Sequence, residues 1–145
     1  MKILVISDTH RQINRALNVL HCIPDITNVV HLGDMVSDAD DIQEHFPDKV
    51  YHKIQGNNDI FSFAKPDMLR NLCGHNIFAT HGHGYGVKST YAYLAKNASA
   101  MGCDIALFGH THRFADEVLM GVRCLNTSNK GYFIITEKSI EFFEY

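Results

Sequence analysis

Five short stretches of this 145-residue chain carry side chains able to hold metal ions: Asp8-Thr9-His10, Gly33-Asp34, Gly56-Asn57-Asn58-Asp59, His81-Gly82-His83 and Gly109-His110-Thr111-His112. They contain five of the ten histidines, an unusual concentration for so few residues. His, Asp and Asn supply nitrogen and oxygen donors and no thiolate, which suits Mn, Fe, Zn, Ni or Mg better than a structural Cys-type zinc site. Asp8 and His10 stand two apart, as do His110 and His112, so each pair can be aimed at one ion from a loop or strand end. Glycines at 33, 56, 82 and 109 let the backbone turn tightly beside the donors. The set is large enough for two divalent ions, and Asp34, alone in its stretch, is the natural bridging carboxylate. Two such ions with Asp8, Asp34 and a bridging hydroxide carry a net charge of about +1, attractive to a phosphate although the protein is acidic. Ions roughly 3.5–4 Å apart can activate a shared water and clamp both oxygens of an in-line displacement at phosphorus.

These stretches must be brought together by the elements around them, and each follows an apolar run. Lys2–Ile6 reads as a buried strand and Asn28–Leu32 and Val50–Ile54 as a second and a third strand, separated by helical spacing at Ile13, Ala16, Leu17 and Leu20 and by a short helix opened by the capping-box-like Ser37-Asp38-Ala39-Asp40, with Ala39, Ile42 and Phe46 inward. This β-α-β-α-β order leaves connections long enough for parallel crossovers. Further on, Asp67–Leu72 and Asn76–Thr80 flank a turn at Cys73-Gly74-His75. Val87, Tyr91, Leu94, Ala95, Ala98 and Met101 keep one helical face, and Ile105–Phe108 is a buried strand. Two more hairpins span Ala115–Asn126, turning at Met120-Gly121, and Gly131–Tyr145, turning near Glu137-Lys138. The pattern predicts one α/β domain over residues 1–145, two mixed sheets with helices outside. Ligands of α/β sheets bind beyond the carboxyl ends of strands, so all five stretches are expected on one rim.

Composition bounds the rest. With 46% hydrophobic and 20% charged residues the chain can bury a real core. A formal charge of −3 gives no basic field for duplex nucleic acid. No apolar run exceeds about five residues, far short of a membrane span, and the apolar start ends at Ser7-Asp8, too soon for a signal peptide. Cys22, Cys73, Cys103 and Cys124 are widely spaced and read as reduced, mostly buried thiols, so a cytoplasmic location is expected. His21, His31, His45, His52 and His75 lie outside the five stretches and read as ordinary surface or core histidines, and Phe142, Phe143 and Tyr145 as sheet packing.

Asp-x-His, Gly-Asp, Gly-Asn-x-Asp, His-Gly-His and Gly-His-x-His, in that order between Lys2 and about Asn126, resemble the calcineurin-like metallophosphoesterases. Ser7-Asp8-Thr9-His10, Thr80-His81-Gly82-His83 and Phe108-Gly109-His110-Thr111-His112 look most like the small YfcE-type phosphodiesterases. The resemblance implies a four-layer α/β/β/α sandwich. It implies one ion on Asp8, His10, Asp34 and His112 and a second on Asp34, Asn57, His81 and His110, with manganese the first choice. The activity implied is hydrolysis of a small phosphodiester by a metal-bridging hydroxide, with Asp34, Asn57, Asn58, His81 and His110 at the reacting phosphate.

Three departures bear on substrate. Many relatives with strong monoesterase activity carry His where this chain has Asn58, and an amide can donate a hydrogen bond but not a proton near neutral pH. Arg11 follows the first motif where Gly is common, and could hold a phosphate bidentately. Leu125-Asn126-Thr127-Ser128-Asn129 stands near where small relatives often have Asn-Pro-Gly-Ser, so a loop of different shape is expected. His83 is a second candidate substrate contact and Asp59 a candidate cap or supporting group. The alternatives are a phosphomonoesterase or nucleoside polyphosphate hydrolase of the same mechanism, or a non-catalytic scaffold like the retromer subunit of this fold. A small domain has few residues to wall its site, so a homo-oligomer partner could complete it.

Overall fold

The computed structural model describes residues 1–145. Lys2–Ile6 (β1) is followed by Ile13–Cys22 (α1), Ile26–His31 (β2), Val36–His45 (α2) and Val50–Lys53 (β3). Next come the hairpin Asp67–Leu72 (β4) and His75–Thr80 (β5), then Ala92–Ala100 (α3) and Ile105–Phe108 (β6). The hairpins Phe114–Leu119 (β7) with Val122–Thr127 (β8) and Gly131–Ile135 (β9) with Ile140–Glu144 (β10) complete the chain. One sheet runs β10-β9-β1-β2-β3 and the other β4-β5-β6-β8-β7. In each, three parallel strands (β1, β2, β3 and β5, β6, β8) carry antiparallel neighbours. No helix is long and apolar enough to cross a membrane.

Strand alternation sorts the core into layers. Ile3 and Val5 of β1 join Val30, Ile77, Ala79, Ile105, Leu107, Leu125 and Phe133 between the two sheets. Leu4 and Ile6 point the other way, onto Ala16, Val19 and Leu20 of α1 and Ile42 of α2. On the far side, Phe78, Ala106, Phe108 and Cys124 meet Leu94, Ala95 and Ala98 of α3. The result is the four-layer α/β/β/α sandwich expected from the sequence. Burial on both faces explains the unbroken apolar runs of β1 and β6, whereas β3, at the edge of its sheet, has no buried residue.

Local chemistry accounts for the turns and for the departures from expectation. Cys73-Gly74 and Met120-Gly121 each place two successive residues at positive φ, the geometry of a two-residue hairpin turn that matches strand twist. β5 therefore starts at His75, inside the expected turn. The helix expected from Ser37 starts one residue earlier. Met35 stands at its N-cap in the left-handed region with no side-chain cap of its own, so Ser37 to Asp40 lie inside the helix and form no capping box. The third helix is shorter than its apolar spacing suggested: Val87 lies ahead of it, and Met101 beyond its end is exposed. Cys73, Cys103 and Cys124 are buried as expected, whereas Cys22 is exposed.

Candidate metal centre

The ends of β1, β2, β5 and β6, drawn from both sheets, meet at one rim. The Asp8 N–H donates to the Gly33 carbonyl (3.0 Å), the Gly109 N–H to the His81 carbonyl (2.9 Å) and the His110 N–H to Asp8 Oδ2 (3.3 Å). Such close backbone approach leaves no room for side chains. A Cβ on Gly33 would sit 2.7 Å from His81 Nδ1, one on Gly109 2.8 Å from Asp8 Oδ2, and one on Gly56 would overlap the Asp34 carboxylate. Asp8, His10, Asp34, His110 and His112 all take positive φ, between 46° and 68°. That region is costly for residues with a Cβ, so the surrounding hydrogen bonds must hold all five of these donor residues in place.

Two groups of donor atoms lie within 4.8 Å of one another: Asp8, His10 and His112, and Asp8, Asp34 and His81. Asp8 belongs to both, so in this arrangement its carboxylate lies between the groups as Asp34 was expected to do. His112 Nε2 is 3.2 Å from Asp8 Oδ1. The His81 ring bonds through Nδ1 to the Leu32 carbonyl at 2.7 Å, which requires Nδ1 to carry the proton. Its Nε2 then bears a lone pair. It is fully buried, has no hydrogen-bond partner and faces Asp34 Oδ2 at 3.5 Å. Two acceptors turned toward each other in a dry site call for a cation between them.

Charge leads to the same reading. Asp8 and Asp34 are 1% and 3% exposed, and no Lys or Arg pairs with either. Burying a carboxylate without a compensating charge costs several kcal/mol, which divalent ions would offset. Burial first, then the nearby His81, Lys88 and His83, push the His110 imidazolium below the ordinary histidine range. A neutral ring of this kind is a competent metal donor.

A surrounding layer of polar groups aims the donors. The Gly33 N–H donates to His31 Nδ1 (3.1 Å), so His31 Nε2–H donates to Thr9 Oγ1 (2.9 Å), and Thr9 Oγ1 donates to Asp38 Oδ2 (2.6 Å). The Arg11 N–H donates to the same Asp38 oxygen (2.7 Å), so α2 holds the loop that carries His10. Burial lowers the His31 pKa to about 4, which keeps the ring neutral. The buried Asn126 amide donates to the Gly109 carbonyl and to Thr111 Oγ1, both at 2.9 Å, and so pins the loop of His110 and His112.

The expected residues fall as follows. Asp8, His10, Asp34, His81 and His112 come together in the two donor groups. His110 stands outside them, its ring edge-on to His81 at 5.2 Å between centroids. His83 is 5.4 Å from His81 and 6.1 Å from His110, at the exposed lip. Asn57 is exposed in the turn after Gly56, whereas Asn58 bonds directly to Asp34 through its backbone N–H (3.1 Å) and its side-chain amide (3.0 Å). The Arg11 side chain is exposed beside His10. Asp59 is a buried supporting group, one of the roles expected for it. The roles of His31, Asp38 and Asn126 escaped the sequence reading. A signal for His31 was available: it is a histidine inside an apolar strand two residues before Gly33-Asp34.

Residues 1–129 match the calcineurin-like phosphoesterase superfamily domain. A probable metallophosphoesterase, YsnB of Bacillus subtilis, is 28% identical over 127 residues, covering 87% of this chain and 73% of its own. Among solved structures, a novel archaeal phosphodiesterase aligns over all of both chains with a TM-score of 0.75 at 22% identity. Vps29 of Entamoeba histolytica, solved with Zn2+, aligns over 100% of this chain and 92% of its own, with a TM-score of 0.76 at 20% identity. At these identities the two structures show a shared fold.

Proposed function

The chain belongs to the calcineurin-like phosphoesterase superfamily, and from that premise we propose that it is a phosphodiesterase dependent on two divalent ions, manganese being the first choice. The observation that carries the reading is the orphaned His81 Nε2 facing Asp34 beside a second donor group built on the same Asp8. Asp8, His10, Asp34 and His112 would hold one ion, and Asp34, Asn57, His81 and His110 the other. Ions bound there supply Lewis acidity toward the phosphate oxygens and an activated water as nucleophile.

The chain's own groups do the rest. The Leu32 carbonyl fixes the His81 tautomer, so Nε2 stays free to bind rather than to donate. Asn58, bonded to the Asp34 carboxylate, orients it and presents an amide beside the phosphate position. That amide cannot protonate a departing alkoxide, which favours diesters and esters with good leaving groups over ordinary monoesters. Arg11, next to His10 in the chain, and His83, beside His81 and His110, are exposed and are the groups available to steer the anion in. The same geometry serves monoesters and nucleoside polyphosphates less well for want of that proton donor. The scaffold alternative rests on fold similarity to Vps29 alone, and every expected ligand position here keeps a competent donor.

The test is hydrolysis of bis(p-nitrophenyl) phosphate by the Mn(II)-loaded protein. Activity should vanish on chelation, return with metal, and fall at least about 100-fold in Asp34→Asn. Full activity after verified metal removal would refute the reading.

A further inference from the structure

Directly beside the donor cluster lies a cavity of about 670 Å³, running from Asn58 and Met35 to the loop after Asp59. Two aromatic side chains of that loop stand almost wholly in solvent, Phe61 at 92% and Phe63 at 104% exposure, with Ile60 exposed between the loop and Asp59. Exposed apolar side chains grouped in one short loop lose hydrophobic stabilisation unless something covers them. Three charged side chains line it: Lys53 and Asp40 pair with each other at 2.5 Å, Lys53 also donating to Gln43 (2.6 Å), and Asp59 is buried with its carboxylate taken up by four backbone N–H groups. Each of these charges is therefore already partnered, and the rest of the lining combines the two aromatic rings with the hydrogen-bonding side chains of Ser37, Asn58 and Ser62. A second phosphate would meet the Asp40 carboxylate there. A flat, uncharged ring with its own donors and acceptors fits that lining.

We propose that this cavity is a specificity subsite for one ester arm of the substrate, an uncharged heteroaromatic group of nucleoside chemistry, stacked on Phe61 and Phe63. The inference rests on the phosphodiesterase reading for its chemistry, because Asn58 joins the cavity to Asp34 and so places the arm next to the phosphate. It adds which diesters are preferred. Stacking of bases on aromatic side chains tolerates any base, so the subsite selects for a ring and not for a particular nucleobase.

The test compares two diesters with the same leaving group, thymidine 5′-(p-nitrophenyl phosphate) and methyl p-nitrophenyl phosphate, in wild type and in Phe61→Ala/Phe63→Ala. Wild type should prefer the thymidine ester in kcat/KM, mainly through KM, and the double variant should lose about ten-fold of that preference. A second readout needs no turnover: thymidine itself should perturb the NMR resonances of residues 58–64 in wild type and not in the variant. Equal kcat/KM for the two esters in wild type, or a preference that survives the double substitution, would overturn the subsite while leaving the hydrolase reading intact. Thymidine binding at the loop in a protein that hydrolyses neither ester would support the subsite and refute the hydrolase reading. A wild-type dimer that the double substitution dissociates, with no thymidine bound, would give the loop to a second copy of the chain and overturn the proposal.

Discussion

The carboxylate of Asp59 closes over the backbone of Asp34. It accepts the N–H groups of Asp34 (2.8 Å), Met35 (2.9 Å), Val36 (3.0 Å) and Gly56 (2.8 Å). One side chain thus caps α2, joins the loops after β2 and β3, and keeps Asp34 in its left-handed conformation. Asp59→Asn keeps the size but removes the charge and turns one acceptor into a donor facing N–H groups. We expect a loss of about 2–3 kcal/mol, or a melting temperature lower by roughly 5–10 °C, and a metal affinity weaker by about 10- to 100-fold. Thermal melts with and without metal, together with calorimetric titration, measure both. Wild-type values for stability and affinity would show that the contact carries little.

His31 gives the protein an acid-side weakness. Its folded pKa lies at about 4, against 6.5 for the free side chain, because burial disfavours the charged ring. Between those values the unfolded chain binds more protons than the folded one, so stability rises with pH through this window. The contribution is complete above about pH 6.5 and is lost as pH falls toward 4, up to about 3 kcal/mol in all. His31→Asn keeps an acceptor for the Gly33 N–H and should be less stable at pH 7.5 but flatter between pH 6.5 and 4.5. Urea unfolding at several pH values tests this. Parallel profiles for the two proteins would rule out His31 as the source.

Asn58 sets the leaving-group requirement in the proposed reaction. Replacing it by His puts a titratable group beside Asp34, able to protonate a departing oxygen. Asn58→His should raise kcat/KM on phenyl phosphate, a monoester with a poor leaving group, by up to about 100-fold. It should change bis(p-nitrophenyl) phosphate hydrolysis far less. Steady-state rates on the two substrates decide it, and equal effects on both would mean the residue acts by position alone.

What the sequence made legible follows from where physics acts locally. Lys2–Ile6 was read to the residue because a run buried on both faces is bounded by polar strand ends. The donor residues stood out because His and Asp beside Gly after strands are costly without a purpose. The start of α2 was misread because its capping oxygen belongs to Asp59, some two dozen residues away, while Ser37 and Asp38 imitate a local cap. Asp38 spends its carboxylate on Thr9 and the Arg11 N–H, a contact across the chain that no short-range spacing encodes. The contacts of His31 and Asn126 are silent in the sequence for the same reason: each residue acts on a loop that only tertiary packing brings to it. The three exposed apolar residues Ile60, Phe61 and Phe63 carry no period, so their place beside the cavity is visible only in the folded loop.

The proposed reaction requires that Asp8, Asp34 and the surrounding histidines gather a pair of divalent ions. Titrating metal-free protein with Mn(II), and following the electron paramagnetic resonance of the free ion, counts those ions directly. The wild type should take up two equivalents before the free-ion signal grows, with the bound pair showing exchange coupling, and Asp34→Asn should bind at most one, uncoupled. Uptake of one equivalent or none by the wild type, or an Asp34→Asn variant that still binds a coupled pair, would contradict it.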